Sequence, residues 1–322
     1  MEVIMNAAVF LNVARLDFDR RLDFGPVSAL TTLTTFEASS PEEIPQRVQA
    51  QTIVITKELP LGKDLIQAFP DTVRLIVEAG TGYNNIDLSA AKAHGITVCN
   101  VPGYSSEAVA QLTIALMLNL SSSLHRQQRM LDQGNRDNFT KHLLVPHAEV
   151  LGKTLGVIGG GAIGGRVITT ALALGMNILV NHPGPTLAGN PAVKAATLED
   201  LLRQSDFVTL HCPLTPASWH LINENTLKLM KPTAYLINCA RGAIIHEAAL
   251  IEALERGALA GAALDVQEVE PPAADSPLYD MPQVILTPHI GWKPLEARQR
   301  LIGILSDNIR AFLQGTPVNV VN

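Results

Sequence analysis

Leu155-Gly156-Val157-Ile158-Gly159-Gly160-Gly161-Ala162-Ile163-Gly164 is an apolar run that opens into glycines spaced G-x-G-x-x-G. Each of these three glycines has its own physical task. Gly159 permits a tight turn at a strand end, Gly161 lets backbone approach a pyrophosphate, and Gly164 allows close packing of helix on strand. Ala162 and Ile163 open that helix, whose unpaired N–H groups and dipole suit bound phosphate. A glycine-rich turn alone is a weak signal. Here strand, loop, helix and a second strand at 177–180 follow in the order of a dinucleotide-binding unit.

Working outward, apolar runs at 155–158, 177–180, 207–210, 234–238, 261–264 and 283–286 read as six strands. Helical segments such as 198–204 and 247–256 separate most of them, the repertoire of a doubly wound Rossmann sheet. Upstream, 7–13, 52–55, 73–77 and 96–100 read as strands, with an Ala-rich helix at 89–94 making a βαβ unit. The fold class is therefore α/β with parallel sheets, the second series of strands being doubly wound. Pro102-Gly103 breaks what precedes it and places the first boundary. Ser105-Ser106-Glu107 then offers cap chemistry to a helix striped by Ala108, Val109, Leu112, Ile114, Leu116 and Leu120. Such a stripe belongs either in the core or at a subunit interface. The amphipathic segment 295–313 comes after the strands are complete and is expected to return to the first domain. The expected division is 1–101, 102–291 and 292–322.

With 47% hydrophobic and 17% charged residues, the chain has the composition of a packed globular protein. A net charge of −6 without a basic cluster argues against nucleic acid as a partner. Cys99, Cys212 and Cys239 are scattered; they form neither a metal spacing nor a disulfide framework, and point to a reducing compartment. Glu2 stands where a signal peptide would be basic, and no run approaches the roughly 18 apolar residues of a membrane span, so a cytoplasmic protein is expected. In Val180-Asn181-His182-Pro183-Gly184 the acid that would hold an adenosine ribose is missing. Neither Arg nor Lys takes its place for a 2′-phosphate, which leaves NAD against NADP open, with a lean to NAD.

Three later segments put polar residues where apolar strands end: Asn238-Cys239-Ala240-Arg241-Gly242, Leu264-Asp265-Val266 with Glu270-Pro271 beyond, and Leu286-Thr287-Pro288-His289-Ile290-Gly291-Trp292. Ligands of open parallel sheets bind outside the carboxyl ends of the strands. An Arg, a Glu and a His there make a plausible trio for a substrate bearing a carboxylate. The same segments, with Gly80-Thr81-Gly82-Tyr83-Asn84-Asn85-Ile86-Asp87, Asn100-Val101-Pro102-Gly103, the Gly159 to Gly164 loop and Leu210-His211-Cys212-Pro213-Leu214-Thr215, resemble the D-isomer-specific 2-hydroxyacid dehydrogenases over essentially the full length. Trp292 and Glu296 to Leu301 further resemble the glycerate dehydrogenase and hydroxypyruvate reductase branch. Glu270 argues against the formate dehydrogenases, which place Gln beside the catalytic His. The chain end at Asn322 argues against a regulatory domain of the kind many phosphoglycerate dehydrogenases carry.

The resemblance implies a Rossmann cofactor domain inserted in a flavodoxin-like substrate domain, and hydride exchange between a nicotinamide and a small 2-keto or 2-hydroxy acid. It assigns His289 as the acid–base, Glu270 as its orienting partner, and Arg241 as the binder of carboxylate and carbonyl. A histidine with an unperturbed pKa near 6.5 and a planar guanidinium suit those tasks. Thr81 and Gly82 would present N–H groups to the same carboxylate, and Asp265 would bond the nicotinamide amide. His182, Cys212, Pro213, Cys239, Ala240 and Gly291 would line the cofactor site, the cysteines as packing residues. Glu268 is the acid that could be mistaken for Glu270, and Trp292 serves as core wedge or pocket wall. No metal is implied, and a homodimer is. The competing reading is a cofactor-sensing binding protein of the same fold, like the transcriptional co-repressor relatives; a remoter one is an unrelated Rossmann enzyme such as a methyltransferase.

Overall fold

In the computed structural model, residues 6–183 and 191–322 are described; 1–5, with Glu2, and 184–190, with Gly184, lie outside the described residues. The chain divides into two compact units, one formed by Met1–Ser105 and Lys293–Asn322, the other by Ser106–Trp292.

The first unit is a parallel sheet of β1 (Asn6–Phe10), β2 (Thr31–Thr35), β3 (Ile53–Thr56), β4 (Leu75–Glu78) and β5 (Thr97–Cys99), in the order β2-β1-β3-β4-β5. This is the flavodoxin-type winding. Strands β3 and β4 are buried at every position, as expected where both faces are covered. β1 is shorter than the apolar run predicts, ending at Phe10, because Asn12 turns inward. Its side chain donates to the Lys57 carbonyl (2.7 Å) and accepts from the Lys57 N–H (2.9 Å). The terminal helix Leu295–Leu313 packs on the Gly25–Ser28 turn of this unit. Arg298 fixes it: the guanidinium, almost wholly buried, meets both Asp19 oxygens (2.9 and 2.6 Å) and the Leu16 carbonyl (3.0 Å).

The second unit has seven strands: β6 (Thr154–Gly160), β7 (Asn177–Pro183), β8 (Val193–Ala195), β9 (Phe207–Leu210), β10 (Tyr235–Asn238), β11 (Gly261–Leu264) and β12 (Val284–Leu286). All pairings are parallel, in the order β12-β11-β10-β9-β6-β7-β8, the Rossmann winding with one further strand. The sequence reading missed β2 and β8. Both are edge strands, and Thr31-Thr32-Leu33-Thr34-Thr35 and Val193-Lys194-Ala195 bury too little to need an apolar run. The helix Ser106–Ser122 buries Val109, Ala110, Thr113, Leu116, Met117 and Leu120 against the Ala162–Ala173 helix and strands β10 and β11. Its apolar stripe is thus used by the core of its own unit.

Candidate active site

Strand register brings the second unit's predicted residues into one row. Pairing aligns Leu286 with Leu264, Leu264 with Asn238, Asn238 with Leu210, Leu210 with Ile158, and Ile158 with Asn181. Immediately beyond these residues, at the carboxyl edge of six adjacent strands, come His289, Asp265, Arg241, Cys212, the glycine loop and His182, in that order. The direction of the crossover changes between β6 and β9, the switch point at which doubly wound sheets open a ligand crevice.

The glycines of the loop differ in the space around them. Gly159 has φ +98°, and a Cβ there would lie 2.7 Å from the His211 carbonyl carbon and Cys212 nitrogen. A Cβ on Gly164 would overlap the Gly159 carbonyl oxygen, so helix and strand touch because both residues are glycine. Gly161 is different: a Cβ there would meet nothing within 4 Å. It is also the N-cap of the Ala162–Ala173 helix and gives that helix no side-chain cap. Open space in front of uncapped N–H groups, followed by Ala162 and Ile163, fits a pyrophosphate. At the end of β7 His182 is exposed and left-handed (φ +57°).

His289 stands in the left-handed region (φ +51°), rare for a residue with a side chain. Asp265 holds it there. The Asp265 carbonyl accepts the His289 N–H (2.9 Å), while its buried carboxylate accepts from Thr287 Oγ1 (2.7 Å), Ile290 N–H (2.8 Å) and Gly291 N–H (2.9 Å). The whole turn carrying the imidazole therefore hangs on one carboxylate. A Cβ on Gly291 would come 3.0 Å from Asp265 Oδ2, which explains the glycine. His289 Nδ1 lies 2.9 Å from Glu270 Oε2, and Glu270 Oε1 accepts the Gln267 N–H at 3.1 Å. Glu270, and not its neighbour Glu268, meets the histidine.

Arg241 is exposed, its Nη1 donating to the Ala240 carbonyl (2.7 Å). Buried Asn238 shapes its loop by donating to the Arg241 carbonyl (2.9 Å) and accepting the Ala240 N–H (3.0 Å). Sequence reasoning passed over Asn238 and Thr287 as site-shaping residues; the only hint was a polar side chain at the end of an apolar strand. Burial pushes the Cys239 thiol up to about 12 and raises that of Cys212, the direction that disfavours a thiolate. Pro213 turns the β9 loop, its carbonyl accepting from Ser218 Oγ (2.7 Å).

In the first unit, Thr81 and Gly82 follow the carboxyl end of β4. Thr81 Oγ1 donates to the Val101 carbonyl (3.2 Å), and Asn100 Nδ2 to the Thr81 carbonyl (2.8 Å). Beneath this loop a Cβ on Gly80 would sit 3.2 Å from Glu78 Oε1 and 3.3 Å from Lys57 Nζ. Among the described residues no group of three His, Cys, Asp or Glu could hold a metal ion.

Comparison with known proteins gives the family. Residues 114–291 match the NAD-binding domain of the D-isomer-specific 2-hydroxyacid dehydrogenases. The chain is 35% identical to a hydroxypyruvate reductase of Blautia hydrogenotrophica over 308 residues, covering 94% of this chain and 95% of the relative. It is 39% identical to a glycerate dehydrogenase of Methylorubrum extorquens over 286 residues, 88% and 89% of the two chains. A crystal structure of a glyoxylate reductase from Paecilomyes thermophila superposes with a TM-score of 0.83 at 30% identity, covering 98% of each chain. The chain belongs to the D-isomer-specific 2-hydroxyacid dehydrogenases, in the glycerate and hydroxypyruvate branch, and is an NAD-dependent oxidoreductase of hydroxy acids.

Proposed function

We propose that this enzyme interconverts a D-2-hydroxy acid of the glycerate or glycolate type and its keto acid, hydroxypyruvate or glyoxylate, with NAD(H) preferred over NADP(H). The observation that carries the reading is the row at the carboxyl edge: a His–Glu pair 2.9 Å apart and an exposed arginine follow adjacent strands aligned in register with the glycine loop. When bound, NADH supplies the hydride. The protein supplies the rest. Gly161, Ala162 and Ile163 hold the pyrophosphate; Cys212, Pro213, Cys239, Ala240 and Gly291 line the dinucleotide site, and Asp265 bonds the carboxamide. Arg241 binds the substrate carboxylate through its planar guanidinium. Glu270 accepts the Nδ1 proton of His289, which fixes the ring and leaves Nε2 to deliver a proton to the carbonyl oxygen or remove one from the hydroxyl.

In this reading 1–101 and 292–322 form the substrate domain and 102–291 the cofactor domain. NAD preference is supported by the sequence around His182, which offers no cation to a 2′-phosphate. The relatives' names favour turnover over a co-repressor-like binding role. Three unpaired cysteines support a reducing, cytoplasmic location. No single helix among the described residues is long and apolar enough to cross a membrane.

A panel of glyoxylate, hydroxypyruvate, pyruvate and bulkier keto acids with NADH and NADPH tests the substrate assignment, the small acids with NADH being expected to react fastest. Arg241→Ala and His289→Ala are each expected to abolish turnover while leaving NADH affinity nearly intact, because neither holds the pyrophosphate. Wild-type rates in both variants would reject the site.

A further inference from the structure

Glu268 is the acid that the His289 pair does not use, and its surroundings are specific. His220 Nε2 lies 2.7 Å from Glu268 Oε1. Glu268 Oε2 accepts the N–H of Glu247 (3.1 Å), the first residue of the Glu247–Glu255 helix, and the Glu268 N–H donates back to Glu247 Oε2 (3.2 Å). That helix has no side-chain cap from its own N-cap, His246, so Glu268 caps it from a separate loop. His220 is itself fixed, with φ +48°. Its N–H donates to the Ala243 carbonyl (2.9 Å), and its ring packs against Trp219 and His246, at centroid distances of 4.8 and 4.7 Å. Burial works to raise the Glu268 carboxyl, but the Glu247 N–H and the His220 contact outweigh it and hold the group below the usual range.

The same loop carries Glu270. Between the two acids Val269 is 69% exposed and offers little packing to hold the chain. On the other side, a Cβ on Gly242 would overlap the Gln267 carbonyl, so the loop lies directly on the backbone that follows Arg241. Gln267 donates its N–H to Glu270. We infer that Glu268 is a positioning residue: clamped between His220 and the amino end of the Glu247–Glu255 helix, it sets the path of the loop that brings Glu270 to His289 and rests on Gly242 beside Arg241. Resting on the acid–base assignment given to His289 and Glu270, it adds two residues, Glu268 and His220, to which the family resemblance gives no role.

Hydrogen exchange of the cofactor-free protein and steady-state kinetics test this together. Glu268→Ala is expected to speed exchange at the Gln267 amide and to lower kcat by about 10- to 100-fold, the loss of a charge-assisted hydrogen bond expressed as a rate. The dissociation constant for NADH, read by fluorescence, should stay within about 2-fold, since Glu268 lies outside the glycine loop. Glu268→Gln, whose amide can both accept from Glu247 and donate to His220, should restore most of kcat. His220→Ala removes one arm of the clamp and should fall between them, which keeps the test open should Glu268→Ala fold poorly. Unchanged Gln267 exchange in both alanine variants, or wild-type kcat in both, overturns the clamp. Wild-type turnover in His289→Ala would instead remove the acid–base reading, and the exchange measurement would still judge the clamp by itself.

Discussion

His289 owes its orientation to a buried carboxylate that it never touches with its ring. Asp265 collects three donors from residues 287, 290 and 291, and its backbone collects the fourth from His289. A left-handed non-glycine residue costs on the order of 1–3 kcal/mol and persists only where its surroundings over-determine it; four hydrogen bonds to one residue do so. Two predictions belong to single residues. His182→Asp should raise the NAD to NADP ratio of kcat/KM, because a carboxylate there accepts from the ribose hydroxyls and repels a 2′-phosphate; an unchanged ratio would take His182 out of cofactor selection. The second concerns Glu78, fully buried at the end of β4, where burial lifts the carboxyl from 4.5 to about 7 against the pull of Asn85, the Glu58 N–H and Lys57. A carboxyl that binds its proton more tightly folded than unfolded contributes stability that is complete below about pH 4.5 and is lost as pH rises through 7. Across that window Glu78→Gln should gain about 3 kcal/mol relative to wild type. Melting curves at pH 4.5 and pH 8 whose difference between the two proteins is the same would reject it.

At the scale of one element, the loop from β6 into the Ala162–Ala173 helix separates folding from binding. A Cβ at Gly164 overlaps the Gly159 carbonyl, whereas one at Gly161 projects into empty space. Gly164→Ala should therefore lower the melting temperature by several degrees even without cofactor. Gly161→Ala should leave it within about a degree and weaken NADH binding by 10-fold or more, since the methyl occupies the space meant for pyrophosphate. Calorimetry and fluorescence titration of the two variants check this, and equal loss of stability in both would be evidence against an empty cradle. Legibility in the sequence also varied by element. Fully buried strands such as Ile53–Thr56 and Phe207–Leu210 announced themselves as apolar runs, while Thr31–Thr35 and Val193–Ala195 did not, because they bury one position and none of their residues respectively.

On the scale of the whole molecule, several large apolar side chains of the second unit stay exposed although its core is complete: Phe139 at 79%, Leu151 at 68% and Leu124 at 57%. The homodimer expected from the sequence would have this exposed apolar stretch between residues 124 and 151 as its interface. Light scattering should give the mass of two 34.5 kDa chains, and Phe139→Asp combined with Leu144→Asp should shift it to one. A monomeric wild type at micromolar concentration would end that proposal.

Sequence by itself determined the alternation of strand and helix, the glycine turn and the placing of Arg241, Glu270 and His289 after the ends of apolar strands, because periodicity, φ preference and residue type are local properties. Tertiary structure alone decided that the strands bearing these residues are neighbours in register, that Asp265 bends the backbone at His289, and that Glu270 meets the imidazole while Glu268 meets His220. Strand order and the path of a loop around Gly242 are set by contacts between segments far apart in the chain, and no short stretch of residues encodes them.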